Sequence, residues 1–487
     1  MSTLSVNQHE IVLKFKARNF IFVLALLMTL NGCALLNPNH PKSAAIEMPT
    51  KWSTSEAVAA TNATSLKEWW LEFNDPLLVS LVEQSLLANT SVNSAKSALL
   101  EARALRDVAG ATLMPTLDGS ASARRSKSGK SNSVNNFTVG LDAAWELDIF
   151  GANKSGVAAS EATTQASEAN LGDVQVSIAA EVALDYIALR NAQARLVIAN
   201  SNLKTQLETL QITEWRTQAG LVSSLDAEQA KVSAEQTRAT IPPLQTSIEQ
   251  MSHALAVLTG QPPAALLEQL LKASPVPQTN SHLALNFPAE TLRQRADVRA
   301  AEYRVSADLA KLAQADAARL PNFSLSGSLG LSALTMGSLT SSSSVLSSLL
   351  ANVTMPLFDG GSRRAKVRAQ EAVLEQTRLA YKSTVLTALQ EVEDALVILR
   401  GDIDRLSRLK LASEAASNAA LMARQRYDSG LSDFQTVLET QRSLLNTQDS
   451  VASVIADVSS DYVRLYKALG GGWQMSVADT TTLPTEN

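Results

Sequence analysis

Phe137-Thr138-Val139-Gly140-Leu141-Asp142-Ala143-Ala144-Trp145-Glu146-Leu147-Asp148-Ile149 is the stretch that decides the fold. Its odd positions are Phe, Val, Leu, Ala, Trp, Leu and Ile; its even positions are Thr, Gly, Asp, Ala, Glu and Asp. A period of two puts alternate side chains on opposite faces of a strand, so this strand has one apolar and one mostly polar face. A second run, 323–333, sets Phe323, Leu325, Leu329 and Leu331 against Ser324, Ser326, Ser328 and Ser332. Leu349, Ala351, Val353, Met355 and Leu357 carry the pattern into a fourth strand, and 117–123 supplies a weaker first one. Ser-, Gly- and Asn-rich links at 126–136 and 335–344 read as exposed loops joining each pair. A soluble sandwich would alternate in the same way. Two features favour a membrane: the Ser, Thr, Asp and Glu of the polar face suit a watery lumen, and the longer strands reach the roughly 9–11 residues of a bilayer crossing.

Four strands cannot close a barrel, and a bilayer tolerates no open strand edge, because each unpaired N–H and C=O is left without a partner. Membrane barrels begin at about 8 strands. A membranous reading therefore requires several copies of the chain; three would pool about 12 strands, enough for an open lumen.

The chain is written twice. Met114-Pro115 corresponds to Leu320-Pro321, Phe150-Gly151 to Phe358 with Gly360-Gly361, and Gly220-Leu221 to Gly430-Leu431, each at a spacing of about 210 residues. Each copy reads helix, strand, strand, long helix, helix. The long helices lack proline from Gly151 to about Gln218 and from Gly361 to Tyr427. At 1.5 Å per residue, some 65 residues span roughly 100 Å. Val385, Leu389, Val392, Leu396, Leu399, Ile403 and Leu406 alternate spacings of four and three. Val182, Leu189, Leu196, Leu203 and Leu210 recur every seven, as do Leu444, Val451, Val458 and Leu465. Such heptads predict knobs-into-holes packing. Pro115, Pro321 and Pro356 fall where helix and strand should meet. Gly220 and Gly430 fall where one helix should turn into the next. Pro242-Pro243 should break the helix after Gly220; nothing comparable follows Gly430.

Lys14, Lys16 and Arg18 precede an apolar run, 20–30, too short to span a bilayer stably, and then come Gly32 and Cys33, the only cysteine. No intramolecular disulfide can form. The stretch Leu30-Asn31-Gly32-Cys33 resembles a bacterial lipobox, although Asn31 is unusual there; the resemblance implies cleavage before Cys33 and a lipid on its thiol. A signal without lipid, with Cys33 there by chance, is the alternative. Ala34 rather than Asp after the cysteine points, by the same resemblance, to the outer membrane.

Trp69-Trp70, Phe73, Asp75-Pro76-Leu77, the run from Arg426 through Leu431, Leu438-Glu439-Thr440-Gln441-Arg442-Ser443-Leu444 and the ending Leu469-Gly470-Gly471-Gly472-Trp473 are similar to motifs of the TolC/OprM-type outer-membrane efflux proteins, in their NodT-like lipoprotein branch. The resemblance covers the chain from Cys33 to Trp473. It implies an α+β membrane protein: a homotrimer with one shared 12-stranded outer-membrane barrel, a long coiled-coil helical barrel in the periplasm and a mixed equatorial belt. The belt would draw on 34–65, 261–287 and the tail after Trp473. The expected organisation is a signal peptide at 1–32, an anchor segment at 33–65, repeat 1 at 66–260, an inter-repeat segment at 261–287, repeat 2 at 288–470 and a tail at 471–487.

The resemblance also implies a role: an exit duct that passes small molecules from a periplasmic adaptor and an inner-membrane pump of the resistance-nodulation-division type. Tyr427, Gln435 and Glu439 would close the periplasmic end, although the branch usually has a bulky apolar residue in place of Gln435 and Asp in place of Glu439. A ring of three Glu439 carboxylates would favour cations; alternatively Glu439 only solvates a helix face. The turns at Gly220-Leu221 and Gly430-Leu431 would receive the adaptor. Export of proteins through a type I system, or a trimeric coiled-coil scaffold, are the competing readings. No enzyme is expected. His9, His40, His253 and His282 have no metal-ligand spacing, and no phosphate loop or nucleophile elbow occurs. Neither a metal nor a cofactor is expected apart from the lipid on Cys33. A net charge of -5 without a basic field argues against nucleic acid.

Overall fold

A computed structural model of the chain describes residues 66–279 and 289–473. The signal segment, Cys33, the anchor segment, the end of the inter-repeat segment and the tail beyond Trp473 lie outside the described residues.

A 3₁₀ turn, Trp69–Phe73, leads into α1 (Pro76–Ala88) and α2 (Thr90–Ala111). Asp75 caps α1 by accepting from the N–H groups of Leu77 and Leu78, and Asn89 caps α2 through Ser91 and Val92. Two strands follow, β1 (Thr116–Ser126) and β2 (Val134–Leu147), then α3 (Ala152–Gln218), α4 (Ser224–Ala239), α5 (Ile241–Leu258) and the single turn α6 (Leu267–Leu270). The second copy has α7 (Ala296–Ala317), β3 (Asn322–Ala333), β4 (Val345–Thr354), α8 (Ser362–Asp428) and α9 (Phe434–Ala468). The equivalence is close: α2 and α7 each have 22 residues, and α3 and α8 each have 67, about 100 Å of helix.

The copies diverge where the prolines predict. The first copy breaks at Thr240, with Pro242 inside the first turn of α5, where a missing N–H does least harm. In the second, α9 runs unbroken for 35 residues.

The strands form one antiparallel sheet in the order β1-β2-β3-β4. Two expectations need correction. β1 runs for 11 residues, comparable to β3 and β4, because pairing with β2 continues to Ser126↔Val134, and the link shortens to 127–133. β4 starts at Val345 and stops at Thr354, short of Leu357, since Pro356 offers no N–H to a ladder and restrains Met355. Leu357 and Phe358 are instead 90% and 93% exposed.

In the helices, α3 is central and packs on α2, α4, α5, α7 and α9, while α8 packs on α7 and α9. Small residues dominate the contact: Ala159, Ala162, Ala166, Ala169, Ala179, Ala180 and Ala183 on α3 are all buried. They let long backbones lie close together. The seam of α8 differs from the expected heptad. Val385, Val392, Leu396 and Leu399 are buried as expected, but Ala388 and Ala395 join them and Ile403 is 44% exposed. The alanines permit closer approach than leucine would, which rotates the buried stripe and leaves Ile403 on a face that one subunit alone does not cover.

Candidate functional site

The sheet has a lumen side and a lipid side, fixed by register. Leu117, Ala143, Gly327 and Leu349 lie in one row and Ala121, Val139 and Leu331 in another, on the odd, apolar face. The even face carries Ser, Thr, Asn and acids. Asp118 stands directly opposite Asp142, followed across the sheet by Ser328 and Ser348. Paired like charges destabilise a dry sheet, so this row belongs in water; the Ser120 hydroxyl donates to Asp142 at 3.1 Å and Ser328 bonds Ser348 at 2.7 Å. β1 and β4 are the free edges of this sheet among the described residues.

At the other end of the long helices, both copies turn in the same way. Gly220 and Gly430 have φ of 73° and 72°, open to glycine at little cost. The N–H of Leu221 donates to the Arg216 carbonyl and that of Leu431 to the Arg426 carbonyl, both at 2.8 Å, closing a Schellman cap. Ser223 with Asp226 then starts α4 by a capping box, and Asp433 starts α9 by accepting from Thr436. Leu221 and Leu431 are left 73% and 68% exposed.

Of the three expected closing residues, two meet. The Gln435 amide donates to the Glu439 carboxylate at 3.0 Å, and both side chains are exposed. Tyr427 packs elsewhere: its ring lies 5.4 Å from that of Phe434, beside Leu438 and Ala230. Arg216 sits over the same ring at 5.0 Å and reaches Asp428 at 3.8 Å. Sequence reasoning missed Arg216. The internal repeat could have found it, since an arginine stands four residues before the turn glycine in both copies, at 216 and 426.

Above the tip, α3 and α9 meet through polar side chains. Gln441 donates to Thr209, Asn202 to Gln448, and Arg195 pairs twice with Asp449 at 2.6 and 3.0 Å. The Oε1 atoms of Gln206 and Gln441 are buried without a hydrogen-bond donor. A groove of about 280 Å³ opens here, lined by Asn202, Gln206, Arg424, Gln441 and Gln448 among others.

Midway along α3, the first part of the inter-repeat segment crosses the helices. Gln193 donates to the Leu270 carbonyl, Arg190 to that of Lys272, and Ser459 to that of Pro277. The Trp-Trp motif and the Gly-Gly-Gly-Trp ending meet nearby. Trp69 stacks on Tyr466 at 5.5 Å, Tyr186 donates to Asp75, and the Trp473 indole occupies the place a Cβ on Gly172 would take. On α9, burial pushes the Asp461 carboxyl up to about 6 against the pull of Arg464, and Asp402 adds to the rise.

A sheet with two free edges, an apolar outside and a polar inside, continuous with helices about 100 Å long, defines one subunit of a shared membrane channel. Comparison with known proteins gives the family. The outer membrane efflux protein profile matches residues 81–261 and 287–471, one match per copy. Nodulation protein T of Rhizobium leguminosarum bv. trifolii is 31% identical over 92% of this chain and 96% of its own. The toluene efflux pump outer membrane protein TtgI of Pseudomonas putida is 32% identical over 95% of this chain and 100% of its own. The structure of the outer-membrane channel OprN superposes with a TM-score of 0.80 at 35% identity, over 88% of this chain and 99% of that one.

The chain belongs to the outer membrane efflux protein family. It is a trimeric outer-membrane channel, with its helices in the periplasm, that serves as an exit duct for efflux.

Proposed function

We propose that this duct discharges small molecules delivered by a resistance-nodulation-division type pump, and that a periplasmic adaptor seats on the Gly220-Leu221 and Gly430-Leu431 turns. The observation that carries the docking reading is the matched pair of caps. Two turns with the same hydrogen bonds each present an exposed leucine at one end of the bundle. In a trimer they make six near-equivalent knobs, which a repeating partner can grip. Energy comes from the pump, because the chain has no nucleotide-binding loop.

In this reading Tyr427, Gln435 and Glu439 hold the idle tip closed. The Gln435–Glu439 pair fixes a carboxylate on each subunit, and three copies make an anionic ring that favours cations. Tyr427 acts from inside the subunit, holding the α8–α9 turn against α3 through Arg216. A lipid on Cys33 adds an acyl anchor to the barrel.

The test is complementation of a strain lacking its efflux duct. The chain, expressed with a cognate adaptor and pump, should restore resistance to small apolar toxicants. Leu221→Asp with Leu431→Asp should abolish resistance while leaving a heat-sensitive trimer in the membrane. Resistance unchanged by both substitutions would sink the docking assignment. Cys33→Ser should end incorporation of labelled palmitate.

A further inference from the structure

The outer end of the sheet carries a cluster of positive charge. Arg124, Arg125, Lys127 and Lys130 cluster at the β1–β2 turn, and no acidic residue lies between Asp118 and Asp142. All four cations are exposed. None makes an ion pair among the described residues; Arg125 only donates to the Ser133 hydroxyl at 3.1 Å. The other outer link, 334–344, has no charged residue.

Register decides where these cations point. Arg125 pairs with Asn135 and so lies on the face of Ala123, Phe137, Val139, Leu141 and Trp145, which is the lipid side. Arg124 pairs with Asn136 and lies on the lumen side. Trp145 and Phe137 are the two aromatic residues on the apolar face of β2. Eight residues of strand separate them, about 27 Å along the chain and roughly 20 Å in height at a usual barrel tilt. Trp145 lies at the helical end, where its indole donates to the Leu113 carbonyl. Phe137 therefore marks the outer interface, and Arg125 stands one lipid-side row beyond it, at headgroup height. Lys127 and Lys130 extend from the turn just above.

We propose that Arg125, Lys127 and Lys130 form a binding site for the phosphate groups of the phosphorylated glycolipid of the outer leaflet. The apolar rows below Arg125 would lie along its acyl chains. The lipid-side position of Arg125 selects a membrane phosphate over an anion leaving through the mouth, which Arg124 would meet. β1 is an edge strand, so in the trimer this basic turn adjoins a neighbouring copy's uncharged link, and three such sites ring the barrel. The proposal rests on the membrane orientation of the barrel and not on the identity of the cargo, the pump or the adaptor.

The test uses the purified full-length trimer in detergent, titrated with bisphosphorylated lipid A and with the same glycolipid stripped of phosphate, retention being read by native mass spectrometry. The wild type should retain the phosphorylated form preferentially, and added salt should weaken it. Each cation near an anionic surface contributes about 1 kcal/mol, so Arg125→Gln with Lys127→Gln and Lys130→Gln should weaken retention about a hundred-fold. Arg124→Gln should leave it unchanged. Equal retention of the two lipids, wild-type retention by the triple variant, an equal loss with Arg124→Gln, or displacement by millimolar inorganic phosphate would each overturn the proposal. Conductance in planar bilayers, measured on the same samples, tests the channel separately and should not change in the triple variant.

Discussion

Removing the Arg216 side chain should loosen the closed tip. The guanidinium makes two contacts with the α8–α9 turn: it lies over the Tyr427 ring at 5.0 Å and reaches Asp428 at 3.8 Å. A partly exposed cation–π contact stabilises by about 0.5–1 kcal/mol, and an exposed ion pair this long adds at most about 0.5 kcal/mol. Arg216→Ala therefore removes about 1 kcal/mol per subunit and about 3 kcal/mol over the trimer. If the tip opens as a unit, the open-to-closed ratio rises about a hundred-fold. The assay is single-channel conductance in planar bilayers, supported by influx of a large hydrophilic antibiotic into cells carrying the variant. Both should increase, while the variant still assembles as a trimer in the membrane. Tyr427→Ala should act in the same direction. Tyr427→Phe should not, because the phenolic oxygen is buried without a hydrogen-bond partner and its removal leaves the ring under Arg216. Wild-type conductance in Arg216→Ala trimers, or opening by Tyr427→Phe equal to that by Tyr427→Ala, would refute the reasoning.

Three further outcomes are expected. Gln206→Leu should raise the unfolding temperature of the helical bundle, by about 1–2 kcal/mol of added stability, because a buried amide oxygen without a donor gives way to an apolar group of similar volume; thermal unfolding followed by circular dichroism reads it. Asp461 titrates near 6 in the fold against an ordinary 3.8, so the folded state holds the extra proton between those values and stability falls as pH rises through that window. Asp461→Asn should shrink that slope without abolishing it, since burial also pushes Asp185 up to about 6, as thermal unfolding between pH 4 and 7 would show. Gly430→Ala should cost about 1 kcal/mol by forcing a Cβ into φ of 72°, measurable by the same thermal assay.

Most of the architecture is legible in the sequence because it repeats. A period of two locates the strands, and unbroken heptads between glycines locate α3 and α8 to within a few residues of their ends. The errors lie where a partner strand or a small residue decides. Leu117 begins a weak alternation, yet pairing with β2 keeps β1 extended through Arg124 and Arg125. Large apolar residues alone predict one stripe on α8, and Ala388 and Ala395 draw the seam toward themselves. At the tip, Gln435 and Glu439 are four residues apart on one helix, a spacing that brings side chains together on sequence grounds. Arg216 and Tyr427 meet across a distance that only the fold brings together.

The duplication is also where symmetry ends, and the position of the difference bears on opening. In the first copy, Pro242-Pro243 cuts the return helix into α4 and α5, so tension applied at Gly220 can be absorbed at Thr240 before it reaches the middle of the bundle. In the second copy, α9 runs unbroken from Phe434 to Ala468 and ends where Arg295 donates to the Ala468 carbonyl and pairs with Asp297 and Glu391. A push on the Gly430 turn has no such joint. On the proposed docking reading it is transmitted as rotation of the α8–α9 hairpin against α3, across a contact made of Thr209, Gln441, Asn202, Gln448 and the Arg195–Asp449 pair. Polar contacts of that kind exchange partners, protein for water, at lower cost than an interlocked apolar seam would. On the proposed reading, opening therefore moves the second copy and leaves the first in place.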